Sequence, residues 1–140
     1  MTESGNSPFV WPVRVYFEDT DVAGVVYHAR YLHFFERART ELLRAHGVSM
    51  TELKEKHNLT WLVLEMNIKF RQAARLDDEL LVTADLAWFR GIRQGFRQEM
   101  TRKSDGVLIA EADVTAVVLQ ADSLKPARMP AWMKAELKNG

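Results

Sequence analysis

One helix with a single apolar stripe is the feature of this sequence that most constrains its fold. From about Ala29 to Gly47 apolar residues recur at spacings of three and four, and charged residues occupy the opposite side. The apolar positions are Tyr31, Phe34, Phe35, Ala38, Leu42 and Ala45. Gly47 is suited to end the helix because glycine adopts the left-handed conformation at little cost. Such a stripe has to be buried against another layer of structure.

That other layer is indicated by segments in which apolar and polar residues alternate, the pattern of half-buried strands. They are residues 11–17, 60–70, 79–89, 94–101 and 107–119. The inward side chains are predicted to be Val13, Val15, Phe17, Leu62, Leu64, Met66, Ile68 and Phe70. Between the last two segments, Asp105 and Gly106 are predicted to supply the positive φ angles of a hairpin turn.

Two shorter helices complete the predicted elements. Ser49 and Glu52 in "SMTE" form a capping-box pattern that opens a helix to about His57, and "AWMKAELK" near the C-terminus indicates a closing helix. One strand, one long helix and four mostly antiparallel strands predict an α+β fold, a single hotdog domain in which the sheet wraps around the helix. This domain is predicted to span residues 11–140, after a flexible tail of residues 1–10.

Composition excludes several classes of function. The chain has 140 residues, 19 basic and 19 acidic, so its zero net charge argues against nucleic-acid or anionic-membrane binding. There is no cysteine, hence no disulfide framework, thiol nucleophile or cysteine-ligated zinc. The N-terminus lacks the features of a signal peptide, and no apolar run is long enough to cross a membrane. The expectation is a soluble protein of the cell interior.

Three carboxylates, Glu18, Asp19 and Asp21, lie just ahead of the long helix. Asp19 or Asp21 can cap the helix by accepting hydrogen bonds from its free N–H groups, which is worth about 1 kcal/mol. An EF-hand-like calcium site is excluded, because the loop position that requires a bidentate carboxylate is occupied by Arg30. A carboxylate beside a helix N-terminus can also act on a carbonyl whose oxygen the helix N–H groups hold, as acyl transfer requires. In this chemical interpretation Gly24 lets the backbone approach a ligand, and His28 lies at the helix start.

The run "RVYFEDTDVAGVVYHARYLHFFERARTELL", residues 14–43, resembles the acyl-CoA thioesterases of the 4-hydroxybenzoyl-CoA thioesterase type. Within them it is most similar to the YbgC branch, which is associated in bacteria with the Tol–Pal envelope system. Further similarities are carried by "WPVRVY", "ARLDDEL", "RGIRQGF", "EADVTAVVL" and "LKPARMP". The resemblance therefore covers residues 11–135.

This resemblance implies a hotdog fold, a cytoplasmic location, and a homodimer or homotetramer with sites between protomers. It implies that Asp21 is the catalytic carboxylate, as general base or as nucleophile, and that the backbone N–H of His28 polarises the thioester carbonyl. No metal or redox cofactor is expected, because a thioester is already an activated acyl group. Coenzyme A enters as part of the substrate.

The remaining site residues are predicted to bind the substrate. Gly24, Val25 and Tyr27 lie along the approach to Asp21, and the phosphates of coenzyme A require basic residues. The candidates are Arg71, Arg75, Arg90 and Arg93, with Gly91 letting main-chain amides approach a phosphate.

Two other functions stay open at this point. The chain can be an interaction module for acyl carrier protein or phospholipid-synthesis enzymes with little hydrolysis of acyl-CoA, because the same basic residues suit an acidic carrier protein. A hotdog dehydratase is disfavoured, since that chemistry pairs a histidine with a separate acid.

Overall fold

A computed structural model describes residues 8–139, with side chains to residue 137. The strands are β1 Phe9–Arg14, β2 Leu59–Phe70, β3 Glu79–Arg90, β4 Arg93–Arg102 and β5 Leu108–Gln120. The helices are α1 His28–Ala45, α2 Met50–His57 and α3 Ala131–Asn139, and a 3-10 turn at Phe17–Asp19 follows β1.

The strands form one five-stranded sheet in the order β1-β3-β4-β5-β2, and all neighbouring pairs are antiparallel. Helix α1 lies on one face of this sheet and buries its apolar stripe there. Phe34 and Phe35 of α1 are fully buried, as are Leu80, Val82 and Met100 of the sheet. This is the predicted α+β arrangement of one long helix against an antiparallel sheet.

A second apolar cluster lies beyond the C-terminal end of α1 and holds the two short helices. Leu53 of α2 and Met133 of α3 are buried in it with Val118 of β5. The predicted helix signals are confirmed, since Ser49 Oγ accepts from the Glu52 N–H at 3.3 Å. Gly47 follows the end of α1 with φ +79°.

The first strand differs from its prediction at both ends. It begins at Phe9, inside the predicted tail, and residues 1–7 of that tail lie outside the described residues. It ends at Arg14, because the chain then turns into the 3-10 turn. Phe17 is consequently 80% exposed and not on the inner face, whereas Val13 and Val15 are buried as predicted.

The second strand changes face along its length. A β-bulge interrupts its pairing with β5 between Val63 and Glu65. The extra residue shifts the alternation, so that one set of side chains does not stay on one face throughout. Leu62 and Leu64, predicted to point inward, are 52% and 49% exposed, while Met66 and Ile68 pack against the core.

The hairpin between β4 and β5 is confirmed, but only one of its residues has the predicted conformation. Gly106 has φ +72°, whereas Asp105 is not among the described residues with positive φ. The Asp105 side chain shapes the turn differently, since its carboxylate accepts from the Val107 N–H at 3.1 Å and from Arg102 at 2.9 Å.

Candidate active site

Asp21 lies in a tight hairpin that precedes α1. The Asp21 N–H donates to Val25 O at 2.9 Å, the Gly24 N–H donates to Asp21 O at 2.9 Å, and Thr20 pairs with Val26. Gly24 has φ +80°, the conformation that a three-residue hairpin loop requires at this position. Gly24 is therefore needed for the turn itself, a role that the sequence prediction of close ligand approach did not include.

The hairpin fixes the direction of the Asp21 carboxylate. Its Oδ1 accepts from the Ala23 N–H at 2.9 Å, which closes a local turn of the side chain onto its own backbone. Within residues 8–137, Oδ2 has no hydrogen-bond partner. Asp21 thus lies on an exposed loop with one carboxylate oxygen hydrogen-bonded and the other accessible to a ligand.

The N-terminus of α1 has no side-chain cap. Its N-cap residue is Tyr27, and the first turn of the helix contains no acidic residue. Neither Asp19 nor Asp21 caps α1, so the capping interpretation of these acids is wrong. The amide of His28 at the start of the helix therefore meets no acceptor in the described part of the chain, and the positive end of the helix dipole lies beside it.

Asp19 is a structural residue of the loop. It is 5% exposed, and its Oδ2 accepts from the Tyr16 N–H at 2.8 Å. Its Oδ1 lies 3.6 Å from Nε of Arg30, and its backbone oxygen accepts from the Tyr27 N–H. These contacts tie the loop to the first turn of α1.

The segment between β2 and β3 forms the other wall of the site. Val25 pairs with Arg75, and the Val26 N–H donates to Ala74 O at 2.9 Å. The Arg75 backbone N–H is held by the Asp78 carboxylate at 2.9 Å. The Arg75 guanidinium makes no hydrogen bond or ion pair with the side chains described, so it is free to meet a ligand.

Tyr31 of α1 contacts the buried side of this wall. Its hydroxyl oxygen accepts a hydrogen bond from the buried N–H of Ala74 at 3.1 Å, and its ring is 4% exposed. Burial raises the pKa of the Tyr31 hydroxyl, an effect that the hydrogen bond from Ala74 partly offsets. Tyr31 therefore links α1 to the segment that carries Arg75.

We expect Tyr31→Phe to lower the free energy of unfolding by about 1–3 kcal/mol, because it leaves the Ala74 N–H buried without an acceptor. Urea denaturation measures this loss. Tyr16→Phe is the matched control, since Tyr16 is 62% exposed and its ring supports no buried group. Equal stabilities of Tyr31→Phe and the wild type would contradict the linking role of the hydroxyl.

An open cleft of about 680 Å³ borders Asp21. It is lined by Phe17, Glu18, Thr20, Asp21, Val22, Gly24 and Leu76. Three apolar residues of this cleft were not predicted from the sequence to belong to the site. They are Phe17, Val22 and Leu76, which are 80%, 109% and 43% exposed. The exposed position of Phe17 follows from the early end of β1, which alternation alone did not reveal.

The predicted site residues fall into two groups. Asp21, Gly24, Val25, Tyr27, His28 and Arg75 lie together around the hairpin and the start of α1. Tyr27 is 48% exposed, and its ring lies 4.6 Å from the ring of His28.

Arg90, Gly91 and Arg93 form the hairpin between β3 and β4, far from Asp21. Strand β3 starts directly after the wall that carries Arg75 and ends at Arg90, 11 residues after Glu79. At about 3.3 Å per residue this places the β3–β4 hairpin about 36 Å from the start of β3. Within one protomer these three residues do not belong to the Asp21 site.

The comparison with protein families assigns the chain to a class of enzymes. The Thioesterase-like superfamily matches residues 15–137, and the chain belongs to this family. The predictions of a hotdog fold and of a thioester hydrolase are thereby confirmed.

Particular relatives are similar over nearly their whole length. The chain is 42% identical over 127 residues to the acyl-CoA thioesterase YbgC of Haemophilus influenzae, covering 91% of this chain and 92% of the relative. It is 41% identical over 130 residues to the acyl-CoA thioester hydrolase YbgC of Escherichia coli O6:H1, covering 93% and 96%. A solved structure of a probable thioesterase from Bartonella henselae is 35% identical, with a TM-score of 0.83 over 89% of this chain and 100% of that chain. The predicted resemblance to the YbgC branch is confirmed.

No helix in residues 8–139 is both long and apolar enough to cross a membrane.

Proposed function

We propose that this protein hydrolyses acyl-CoA thioesters to a free acid and coenzyme A. The observation that carries the proposal is that one loop brings together two groups without partners among the described residues. These are Oδ2 of Asp21 and the uncapped N-terminus of α1, which begins seven residues later at His28. One element supplies a base or nucleophile and the other a donor for the oxyanion. The names of the relatives from H. influenzae and E. coli support the same activity.

Two routes use the same groups. As a general base, Asp21 takes a proton from a water molecule, and the resulting hydroxide adds to the thioester carbonyl carbon; the adduct then collapses, the C–S bond breaks, and the proton on Asp21 passes to the leaving thiolate. As a nucleophile, Asp21 adds directly, coenzyme A leaves as its thiolate, and water then hydrolyses the mixed anhydride. Both routes end with the acid, the free thiol and a regenerated Asp21. Neither needs a metal or a redox cofactor, because the thioester is already activated.

The backbone N–H of His28 is the proposed oxyanion donor. A preorganised donor of this kind contributes about 3 kcal/mol to the transition state. It is a backbone group, so replacing the exposed imidazole of His28 leaves it in place. The apolar residues Phe17, Val22 and Leu76 line the same cleft as Asp21, so an apolar acyl group bound there can cover them.

We further propose that two protomers join along β2 to complete the site. Strand β2 is a sheet edge of 12 residues, and Leu62, Val63 and Leu64 near its start are 52%, 42% and 49% exposed. A long apolar edge of this kind is a template for pairing with another strand. Antiparallel pairing of two β2 edges reverses one protomer relative to the other.

That reversal brings the β3–β4 hairpin of one protomer toward the Asp21 end of its neighbour. The hairpin lies at the same end of the sheet as the start of β2, since Arg93 pairs with Val117 and Val117 with Leu62. Arg90, Gly91 and Arg93 then serve the coenzyme A phosphates from across the interface, and Arg75 serves them from the same chain. A cytoplasmic location and an association with the Tol–Pal system stay predictions of the resemblance.

We expect Arg75→Gln and Arg93→Gln each to raise KM for an acyl-CoA about tenfold, the loss expected for one charge-assisted contact to phosphate. The control is the matching acyl thioester of N-acetylcysteamine, which lacks the nucleotide and should show no change. Equal effects on both substrates would contradict phosphate binding by these residues.

The function is tested by measuring release of coenzyme A from a panel of acyl-CoAs in parallel with the matching acyl carrier protein thioesters. Saturable hydrolysis of acyl-CoA is the expected result. Turnover confined to the acyl carrier protein thioesters would overturn the proposal.

A further inference from the structure

A second pocket lies under the flank of α1 that faces β2. Its volume is about 110 Å³, and its walls include Leu43, Trp61, Val63 and Phe96, which are apolar, and the charged residues Glu36 and Arg39. It shares no lining residue with the cleft beside Asp21, and Trp61 and Val63 of β2 form part of its wall. This volume is enough for the last few carbon atoms of a chain and one polar group, since a water molecule takes about 30 Å³.

Arg39 has more hydrogen-bond donors than partners. Its Nη1 donates to Gln98 Oε1 at 2.9 Å, and no carboxylate of the described side chains lies within ion-pair distance of its guanidinium. Burial lowers the pKa of the Arg39 guanidinium, and the nearby Glu36 carboxylate partly offsets this. The group nevertheless stays charged and carries five N–H donors in a fixed fork. The donors that Gln98 leaves unused therefore suit an oxygen acceptor inside the pocket.

The pocket and the reacting centre share one flank of α1. His28, Leu32, Glu36, Arg39 and Leu43 follow one another at spacings of four, four, three and four, which places them on a single stripe of the helix. Leu32, between the two ends, is apolar and 41% exposed. An acyl group whose carbonyl lies at the His28 amide can follow this stripe toward Arg39.

We propose that Arg39 binds the far end of the acyl group, and that the preferred substrates carry an oxygen acceptor there. The inference rests on the proposed function, since it places the thioester carbonyl at His28. Glu36 lines the same pocket and repels a carboxylate. A neutral hydroxyl or keto oxygen is therefore favoured over a terminal carboxylate.

The position of the guanidinium sets the chain length. Gln98 accepts from Arg39 and also donates to Phe35 O at 3.0 Å, so one amide group joins the guanidinium to the backbone at Phe35, on the N-terminal side of Arg39. Phe35 is seven residues from His28, or about 10 Å along the helix at 1.5 Å per residue. An extended chain advancing about 1.25 Å per carbon, given its 1.5 Å bonds, spans this distance with about eight carbons.

The test compares kcat/KM for ω-hydroxyoctanoyl-CoA with that for octanoyl-CoA. We expect the hydroxylated substrate to be preferred about tenfold, the scale of one buried hydrogen bond to a charged donor. Arg39→Gln should reduce this ratio to near one. Arg44→Gln is the matched control on the same helix, because Arg44 is exposed and paired with Glu41, and it should keep the wild-type ratio. Glu36→Gln should raise the rate with suberyl-CoA relative to ω-hydroxyoctanoyl-CoA.

Binding to the Asp21→Asn protein separates this inference from the proposed function. Calorimetry should show tighter binding of ω-hydroxyoctanoyl-CoA than of octanoyl-CoA. This measurement depends neither on hydrolysis nor on a substitution at Arg39. Equal or weaker binding, or an Arg39→Gln ratio equal to that of the wild type, would overturn the role of Arg39 while leaving hydrolysis at Asp21 intact. Failure of the wild type to hydrolyse any acyl-CoA would instead overturn the proposed function.

Discussion

Asp21→Asn should lower kcat for acyl-CoA hydrolysis by at least about 10²-fold, the contribution of one positioned acid–base group. Asparagine keeps an oxygen that can accept from the Ala23 N–H, so the hairpin should retain its shape. What is lost is the negative charge on the open oxygen, and with it both the general-base and the nucleophilic route. Steady-state release of coenzyme A measures the change, and the melting temperature shows that the variant is folded.

The matched control is Asp19→Asn, two residues away in the same loop. Asp19 is buried against the Tyr16 N–H and Arg30, so this substitution should mainly reduce stability. Near-wild-type turnover by a folded Asp21→Asn protein would remove Asp21 from its proposed role. A loss in Asp19→Asn as large as that in Asp21→Asn would show that the loop geometry, and not the Asp21 carboxylate, limits the rate.

Gln98→Met should lower the free energy of unfolding by about 3 kcal/mol, because the three hydrogen bonds of a buried side chain disappear together. Gln98 is fully buried between α1 and the sheet. Its amide donates to Phe35 O at 3.0 Å and Thr83 O at 3.1 Å, and its oxygen accepts from Arg39 at 2.9 Å. Methionine fills a similar volume but leaves the Arg39 guanidinium without its acceptor. Urea denaturation measures the loss.

Gln72→Met is the control for Gln98→Met, since Gln72 is exposed and should tolerate the change. Pairing Gln98→Met with Arg39→Met should cost less than the sum of the two single changes, because the double variant has no guanidinium left without its acceptor. Additive losses in the double variant would contradict the coupling of Gln98 to Arg39.

The helices could be predicted from the sequence because their signals are local. The stripe of α1, the cap at Ser49 and the left-handed Gly47 all depend on residues within a few positions of one another. The face of β2 could not be predicted, since its bulge is set by pairing with β5, which is distant in the sequence. The start of β1 at Phe9 likewise depends on its partner, because Phe9 pairs with Ala84 of β3.

The candidate site likewise contains residues that a local motif predicts and residues that only tertiary contacts bring to it. Asp21, Gly24 and His28 are close in the sequence, so one motif predicts them together. The wall formed by Ala74 and Leu76 joins them only through tertiary contacts, and no local pattern indicates it. Arg90 and Arg93 were placed at the site by their charge and Gly91 by its lack of a side chain, and the length of β3 keeps all three away from it within one protomer.

The central claim is that a thioester lies between Asp21 and the start of α1. A crystal structure of the Asp21→Asn protein with an unhydrolysed acyl-CoA tests it most directly. The proposal predicts that the carbonyl oxygen accepts from the His28 N–H at about 2.7–3.1 Å, with the substituted side chain at position 21 facing the carbonyl carbon. A thioester bound away from the first turn of α1, or a carbonyl oxygen directed away from the His28 N–H, would contradict it.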